Sequence, residues 1–228
     1  MIQIYFFLMT LLIIGDEQAL NESRLKFGAT HQYLHVVSSE RFSDLPSADV
    51  VFDFYPSVAR YADAQLTTTS WKAIFVNSIV RPLHTLVLPL SNDAPLIIGF
   101  NGLPTFVDRK VLEVTLLSRE DESRLKEVCG LLGTDFALVK DRPGMVTARV
   151  VSMIINEAYL TLEEGTATRE DIDKAMKLGT NYPFGPFEWA ERIGLPNVVA
   201  VLQAVKESEG AERFPICSLL MQQARSTY

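Results

Sequence analysis

Eight short apolar runs punctuate the first 140 residues: TLLIIG, QYLHVVS, ADVVFDFY, KAIFVNSI, TLVLPL, PLIIGF, KVLEVTLL and DFALVK. Several are unbroken rather than alternating, as strands covered on both faces are. Between them the pattern predicts helices over Glu17–Lys26, Ala59–Thr67 and Arg119–Leu132. The last opens on the capping sequence Ser118-Arg-Glu-Asp and ends near Gly130 or Gly133. Strands alternating with helices predict an α/β domain with a parallel, doubly wound sheet.

The pattern changes at KDRPGMV, residues 140–146. Met145, Val146, Val150, Val151, Ile154, Ile155, Ala158 and Leu162 recur at helical spacing in two wide stripes. Pro143 suits the first turn of this helix and Gly165 its end. Thr168-Arg-Glu-Asp171 caps a second helix ending at Gly179, Pro186 opens a third ending at Gly194, and Pro196 opens a fourth through about Glu209. The boundaries are therefore 1–139 for the α/β domain and 140–228 for an all-helical one. A long helix with apolar surface on more than one side suits burial against a copy of itself, so the helical domain is expected to dimerise.

Composition narrows the function classes. A chain of 228 residues, 48% hydrophobic, buries a real core. A net charge of -7 argues against a nucleic-acid partner, which wants a basic face. The apolar N-terminal stretch ending at Gly15 has no basic residue before it and no small-residue cleavage site. It also falls short of the roughly 20 residues of a membrane span. It reads as a buried first strand, Thr10 to Ile14, with Met9 as an alternative start, and no membrane partner is expected. Cys129 and Cys217 form no CxxC and read as reduced, buried thiols of a cytoplasmic protein. His31, His35 and His84 share no metal-ligand spacing, so no metal is expected.

Residues 141–195 carry a D-x-P-G opening, a helix ending in EG, the segment DIDKAMKLG and the stretch YPFGPFEWAERIGL. Together these resemble the C-terminal domain of the 3-hydroxyacyl-CoA dehydrogenase family, in register and without gaps. The first half is similar to the same family in order and spacing. ADVVFDFYP looks like its strand before the cofactor edge, and IIGFNGLPTFVDRKVLEV like the strand–loop–strand carrying its catalytic His and Glu. The resemblance implies a Rossmann-like NAD domain, a dimerising helical domain and oxidation of an L-3-hydroxyacyl-CoA. Hydride transfer to NAD needs a base for the hydroxyl proton. In the family a His fills that role, a Glu orients it, and an Asn from the second domain holds the substrate oxygen.

On this chain the resemblance puts Glu113 at the place of the Glu, Asn101 at that of the His and Ala148 at that of the Asn. An amide cannot take a proton at neutral pH. The glycine-rich phosphate turn becomes Gly15-Asp-Glu-Gln-Ala-Leu20, which keeps the first glycine and places Glu17 where backbone would approach phosphate. Tyr55, Pro56 and Asn77 fall at the remainder of the cofactor edge. The ten residues SSERFSDLPS leave no room for the helical hairpin that covers acyl-CoA in the family. The expectation is a dehydrogenase-like protein with impaired or lost catalysis, weak or absent NAD binding and an acyl-CoA or other small-molecule ligand. The alternative is an active NAD-dependent dehydrogenase of a small 3-hydroxy acid or acyl-CoA, using Glu113 with a partner other than His.

Overall fold

The computed structural model describes residues 9–39, 41–61, 71–87, 94–210 and 214–226. The chain divides into two compact units, one through Asp141 and one from Arg142.

The first unit is built on β1 (Thr10–Ile14), α1 (Glu17–Phe27), β2 (Gln32–Val36), β3 (Val50–Asp53), α2 (Val58–Tyr61), β4 (Ala73–Asn77), α3 (Leu83–Leu86), β5 (Leu96–Phe100), β6 (Val111–Leu116), α4 (Glu122–Leu132) and β7 (Asp135–Leu138). The strands form one seven-stranded sheet in the order β2-β1-β3-β4-β5-β6-β7. All neighbours run parallel except β5 and β6, which pair antiparallel with Phe100 opposite Val114. The unbroken apolar runs have the expected cause. In β1, Leu11 and Ile13 pack with α1 and α4, while Leu12 and Ile14 join Phe42, Tyr61, Trp71, Leu83 and Leu86 on the other face. The sheet is thus a Rossmann-like, doubly wound and mainly parallel one. The link from β2 to β3 covers its face with a single 3-10 turn, Phe42–Asp44, whose Phe42 ring meets Tyr61 and Trp71 edge-on.

Two sequence expectations need correction here. TLVLPL is not a strand where it is described: Thr85 and Leu86 lie in α3, and residues 88–90 fall outside the described residues. Leu83 and Leu86 bury at i,i+3 spacing, and the Asp141 carboxylate caps the Leu83 and His84 amides at 2.7 and 3.0 Å. The helix expected over Arg119–Leu132 begins as a 3-10 turn, Arg119–Asp121, before α4, which closes on Gly133 at φ 68°. Of the helix expected over Ala59–Thr67, α2 covers the start and residues 62–67 lie outside the described residues, as do residues 1–8.

The second unit holds α5 (Thr147–Glu163), α6 (Arg169–Thr180), α7 (Pro186–Ile193), α8 (Leu195–Glu209) and α9 (Ser218–Arg225). Pro143 precedes α5 rather than opening it, because Gly144 and Met145 turn the chain through positive φ. Helix α6 runs past Gly179 and stops at Asn181, whose φ of 56° gives the left-handed end. Helix α9 lies beyond the four helices that the sequence reading predicts. Its first turn is held from outside, by Glu163 of α5 accepting from the Ser218 hydroxyl and the Leu219 amide.

The most distinctive sequence of this unit is a capping device. Asp173 of α6 accepts from the Phe187 and Glu188 amides at 2.8 and 3.2 Å, satisfying the first turn of α7. Gly185 makes room for that carboxylate: a Cβ there would lie 2.2 Å from Asp173 Cγ. Glu188 turns back to the Gly185 amide and to Lys177. Arg169 lies over the rings of Tyr159 and Phe187, and Arg192 over Phe184 at 3.9 Å. No helix among the described residues is long and apolar enough to cross a membrane.

Candidate functional site

Strand order reverses at β1, with β2 on one side and β3 on the other. In open α/β sheets the crevice beyond the carboxyl ends of such strands is where ligands bind. Four of the expected site positions lie at this edge: Gly15 after β1, Tyr55 and Pro56 after β3, and Asn77 at the end of β4.

At the turn after β1, Gly15 is required by close packing, since a Cβ would meet Ala19 at 2.9 Å and Phe54 at 3.2 Å. Its carbonyl lies 2.8 Å from Nε2 of His35. Asp16 is the N-cap of α1: Oδ1 accepts from the Ala19 amide at 2.8 Å, and Oδ2 accepts from the Tyr55 hydroxyl at 2.7 Å. Burial pushes the Tyr55 phenol up to about 12, and the Asp16 hydrogen bond and charge add to the rise. Glu17 behaves differently from its sequence expectation. It is 78% exposed and swings toward His35, 3.5 Å away. Pro56, next to Tyr55 in the chain, is half-buried.

Asn77 ties three strands together. Its Nδ2 donates to the Phe54 carbonyl after β3 at 3.1 Å, and its Oδ1 accepts from the Gly102 amide after β5 at 3.2 Å. A Cβ on Gly102 would sit 2.9 Å from Asn77 Cγ, so this glycine permits the clamp.

The β5–β6 hairpin brings Asn101 and Glu113 together through the backbone, the Asn101 amide donating to the Glu113 carbonyl at 3.3 Å. Asn101 is 2% exposed, and its Oδ1 accepts from the Leu103 amide at 3.3 Å in an Asx turn. Helix α1 grips the same hairpin loop. Glu22 accepts from the Thr105 amide with both oxygens, at 2.9 and 3.0 Å, while Lys26 donates to the carbonyls of Arg109 and Lys110. Burial raises the Glu22 carboxyl above its ordinary value, and Asp108 adds to the rise. Thr105 sits at φ 74°, a costly conformation for a β-branched residue, held by this grip. The 22/26 spacing puts both side chains on one helix face, but nothing in the sequence says that face meets a loop some eighty residues on.

Behind the turn lies a buried ion pair that sequence reading also missed. Asp53 is fully buried and receives Arg60 Nη1 at 2.5 Å, the Tyr61 hydroxyl at 2.8 Å and the Tyr55 amide at 3.2 Å. Arg60 also donates from Nε to the Ser39 carbonyl at 2.8 Å, tying the β2–β3 link to the crevice wall. Ala148, at the place where the family offers an amide, is buried in α5 of the second unit with a methyl group only. Cys129 and Cys217 are buried and not bridged, and burial pushes the Cys129 thiol up to about 12.

A cofactor of the NAD type puts its pyrophosphate on a helix N-terminus through backbone N–H groups. At α1 a carboxylate already takes the free amide there, and a phenol closes over it. The turn does not fit a pyrophosphate in this conformation.

The family model described as 3-hydroxyacyl-CoA dehydrogenase, C-terminal domain, matches residues 144–227. Over 86 residues the chain is 45% identical to the 3-hydroxyadipyl-CoA dehydrogenase of Escherichia coli, covering 38% of this chain and 18% of that protein. It is 28% identical over 193 residues to the 3-hydroxybutyryl-CoA dehydrogenase of Bradyrhizobium diazoefficiens, covering 82% and 66% respectively. The chain therefore spans less than two thirds of either relative. In structure it is similar to the (S)-3-hydroxybutyryl-CoA dehydrogenase of Ralstonia eutropha, with a TM-score of 0.70, 20% identity and coverage of 97% of this chain and 95% of that one. At that identity the likeness speaks for the fold, while residues 144–227 match the C-terminal domain of the 3-hydroxyacyl-CoA dehydrogenase family and the chain is similar in sequence to dehydrogenases of that family.

Proposed function

We propose that this chain is a 3-hydroxyacyl-CoA dehydrogenase-like protein in which hydride-transfer chemistry is impaired or lost. The observation that carries the reading is Asn101. It stands where the family resemblance puts the proton acceptor, it is buried, and its side-chain oxygen is engaged by the Leu103 amide. Oxidation of a 3-hydroxyl needs a group that takes the proton as the hydride leaves, and an amide does not supply one. The resemblance puts Glu113 at the place of the orienting carboxylate, its backbone pairs with Asn101, and the position that would carry the imidazole carries an amide.

On this reading the protein retains the fold for binding or assembly. Residues 1–139 form a degenerate nucleotide-binding domain and residues 140–228 a helical domain that pairs with a second copy. An acyl thioester or related small molecule is the ligand class, and the cytoplasm is its compartment. Light scattering at micromolar concentration tests the dimer, and a monomer would remove that part of the proposal.

Purified protein mixed with NADH and acetoacetyl-CoA tests the chemistry. The expected result is no NADH consumption above background. A rate that is abolished in Glu113→Gln would overturn the proposal in favour of an active dehydrogenase using Glu113 with a partner other than His.

A further inference from the structure

The α1 turn carries a second departure, independent of the missing base, although it rests on the same family reading for the place of the cofactor. We infer that Asp16 is the resident anion of the nucleotide turn and Tyr55 its latch, so that the turn is closed by the protein's own side chains.

The argument starts from the helix end. The first amides of α1 point out of the helix with partial positive charge, which is what makes such an end attractive to phosphate. Asp16 supplies the negative group from inside the chain, with Oδ1 on the Ala19 amide at 2.8 Å. An N-cap carboxylate on a surface helix often has its second oxygen in water. Here that oxygen takes the Tyr55 hydroxyl at 2.7 Å, from the residue two places beyond β3. Tyr55 is itself fixed from below, because its backbone amide donates to buried Asp53 at 3.2 Å. The phenol therefore bridges the two strands on either side of the switch point, across the place where a dinucleotide would cross.

One neighbour strengthens the closure. The Gly15 carbonyl is engaged by His35 at 2.8 Å, which fixes the turn's backbone. Bringing a pyrophosphate to this end would require Asp16 to give up both contacts, and would then hold two like-charged groups near one helix end. Glu17, the residue that the sequence pattern points to as the obstruction, is turned away toward His35 and 78% exposed. The closure is thus assigned to Asp16 and Tyr55 and not to Glu17.

The test measures binding without turnover, so its outcome is separable from that of the activity assay. NADH is titrated against the full chain by fluorescence, and ADP-ribose by calorimetry. The natural chain is expected to show a dissociation constant weaker than about 1 mM (about −4 kcal/mol). Asp16→Ser keeps an N-cap hydroxyl, so α1 stays capped, while it removes the charge and the reach to Tyr55. It is expected to bind at least tenfold more tightly than the natural chain. Tyr55→Phe removes the latch alone and is expected to give a smaller gain of the same sign, and Glu17→Gln less than a threefold change. Circular dichroism of each variant reports whether the fold is kept. Micromolar NADH binding by the natural chain would overturn the inference. So would a gain confined to Glu17→Gln, or unchanged affinity in both folded Asp16→Ser and Tyr55→Phe.

Discussion

Replacing Gly185 by Ala strikes the contact through which Asp173 of α6 caps α7. The new Cβ would lie 2.2 Å from Asp173 Cγ, 2.3 Å from its Oδ1 and 2.4 Å from its Cβ. Rotating the Asp173 side chain clears the first two and leaves the third, because Cβ is fixed to the α6 backbone. Helices α6 and α7 must therefore shift as well as lose the cap. The cap consists of two bonds to a carboxylate, at 2.8 and 3.2 Å. Losing a helix cap costs about 0.5–2 kcal/mol, and forced overpacking adds about 1–3 kcal/mol. The sum, about 2–5 kcal/mol, is a large share of the roughly 5–15 kcal/mol that holds a domain together. Asp173→Asn, which keeps one oxygen and creates no clash, should cost about 1 kcal/mol at the lower end of the same cap range. Urea unfolding followed by tryptophan fluorescence measures both. The chain has two tryptophans, Trp71 in the first unit and Trp189 in α7, so a Trp71→Phe background makes the signal specific to the helical unit. With a slope of about 2 kcal/mol/M, Asp173→Asn should lower the midpoint by roughly 0.5 M and Gly185→Ala by at least twice that. A Gly185→Ala midpoint within about 0.3 M of the parent, or an Asp173→Asn cost exceeding it, would refute the steric argument.

Arg60→Met strands Asp53 in the first unit's core and should destabilise that unit by about 3–5 kcal/mol, with Asp53→Asn in the same chain recovering part of the loss. Equal stability of the single and double variants in urea would refute the claim that the cost comes from a stranded Asp53 charge. The Glu22 carboxyl has a folded value raised above its ordinary 4.5, chiefly by burial. The folded state therefore holds that proton to higher pH than the unfolded chain does. Its favourable contribution is full below the unfolded value and fades as pH rises through the folded one. Glu22→Gln should accordingly gain stability relative to the parent between pH 4.5 and 7, read as the difference in Tm. A difference that is flat or of opposite slope across that window contradicts the burial argument.

The sheet was legible because burial on both faces forces unbroken apolar strands, and Leu11 to Ile14 obey that rule without help from distant residues. The helical unit was legible because its stops are local, although Asn181 rather than Gly179 makes the left-handed turn. What escaped was held from afar. Helix α3 takes its cap from Asp141, α9 from Glu163, and the hairpin loop its grip from Glu22 and Lys26. Each partner lies dozens of residues away, so no window of sequence contains the signal. At the site, the positions could be placed by resemblance, but a position does not give a rotamer. Glu17 and Asp16 were adjacent charges on one turn, and their different directions come from Tyr55 just after β3 and His35 in β2.

That difference bears on how the crevice should be understood. A polar group at a working site is usually left with hydrogen-bonding capacity for the ligand, at some cost in stability. The groups at this crevice have spent much of theirs on the protein. Asp16 has both oxygens engaged, Asn77 bonds backbone with both ends of its amide, and Asn101 turns its oxygen onto its own loop. Each such bond contributes about 0.5–1.5 kcal/mol to folding when made, and leaving a buried partner unmade costs more. On the proposed reading, in which an amide stands at the proton acceptor's place, the chemistry no longer favours keeping these groups waiting and folding favours closing them. The strained Thr105, near Asn101, carries a local conformational cost that the Glu22 grip offsets. On the proposed reading, the fold's geometry and its satisfied crevice are two results of the same energetics, acting on a scaffold no longer held to the reaction.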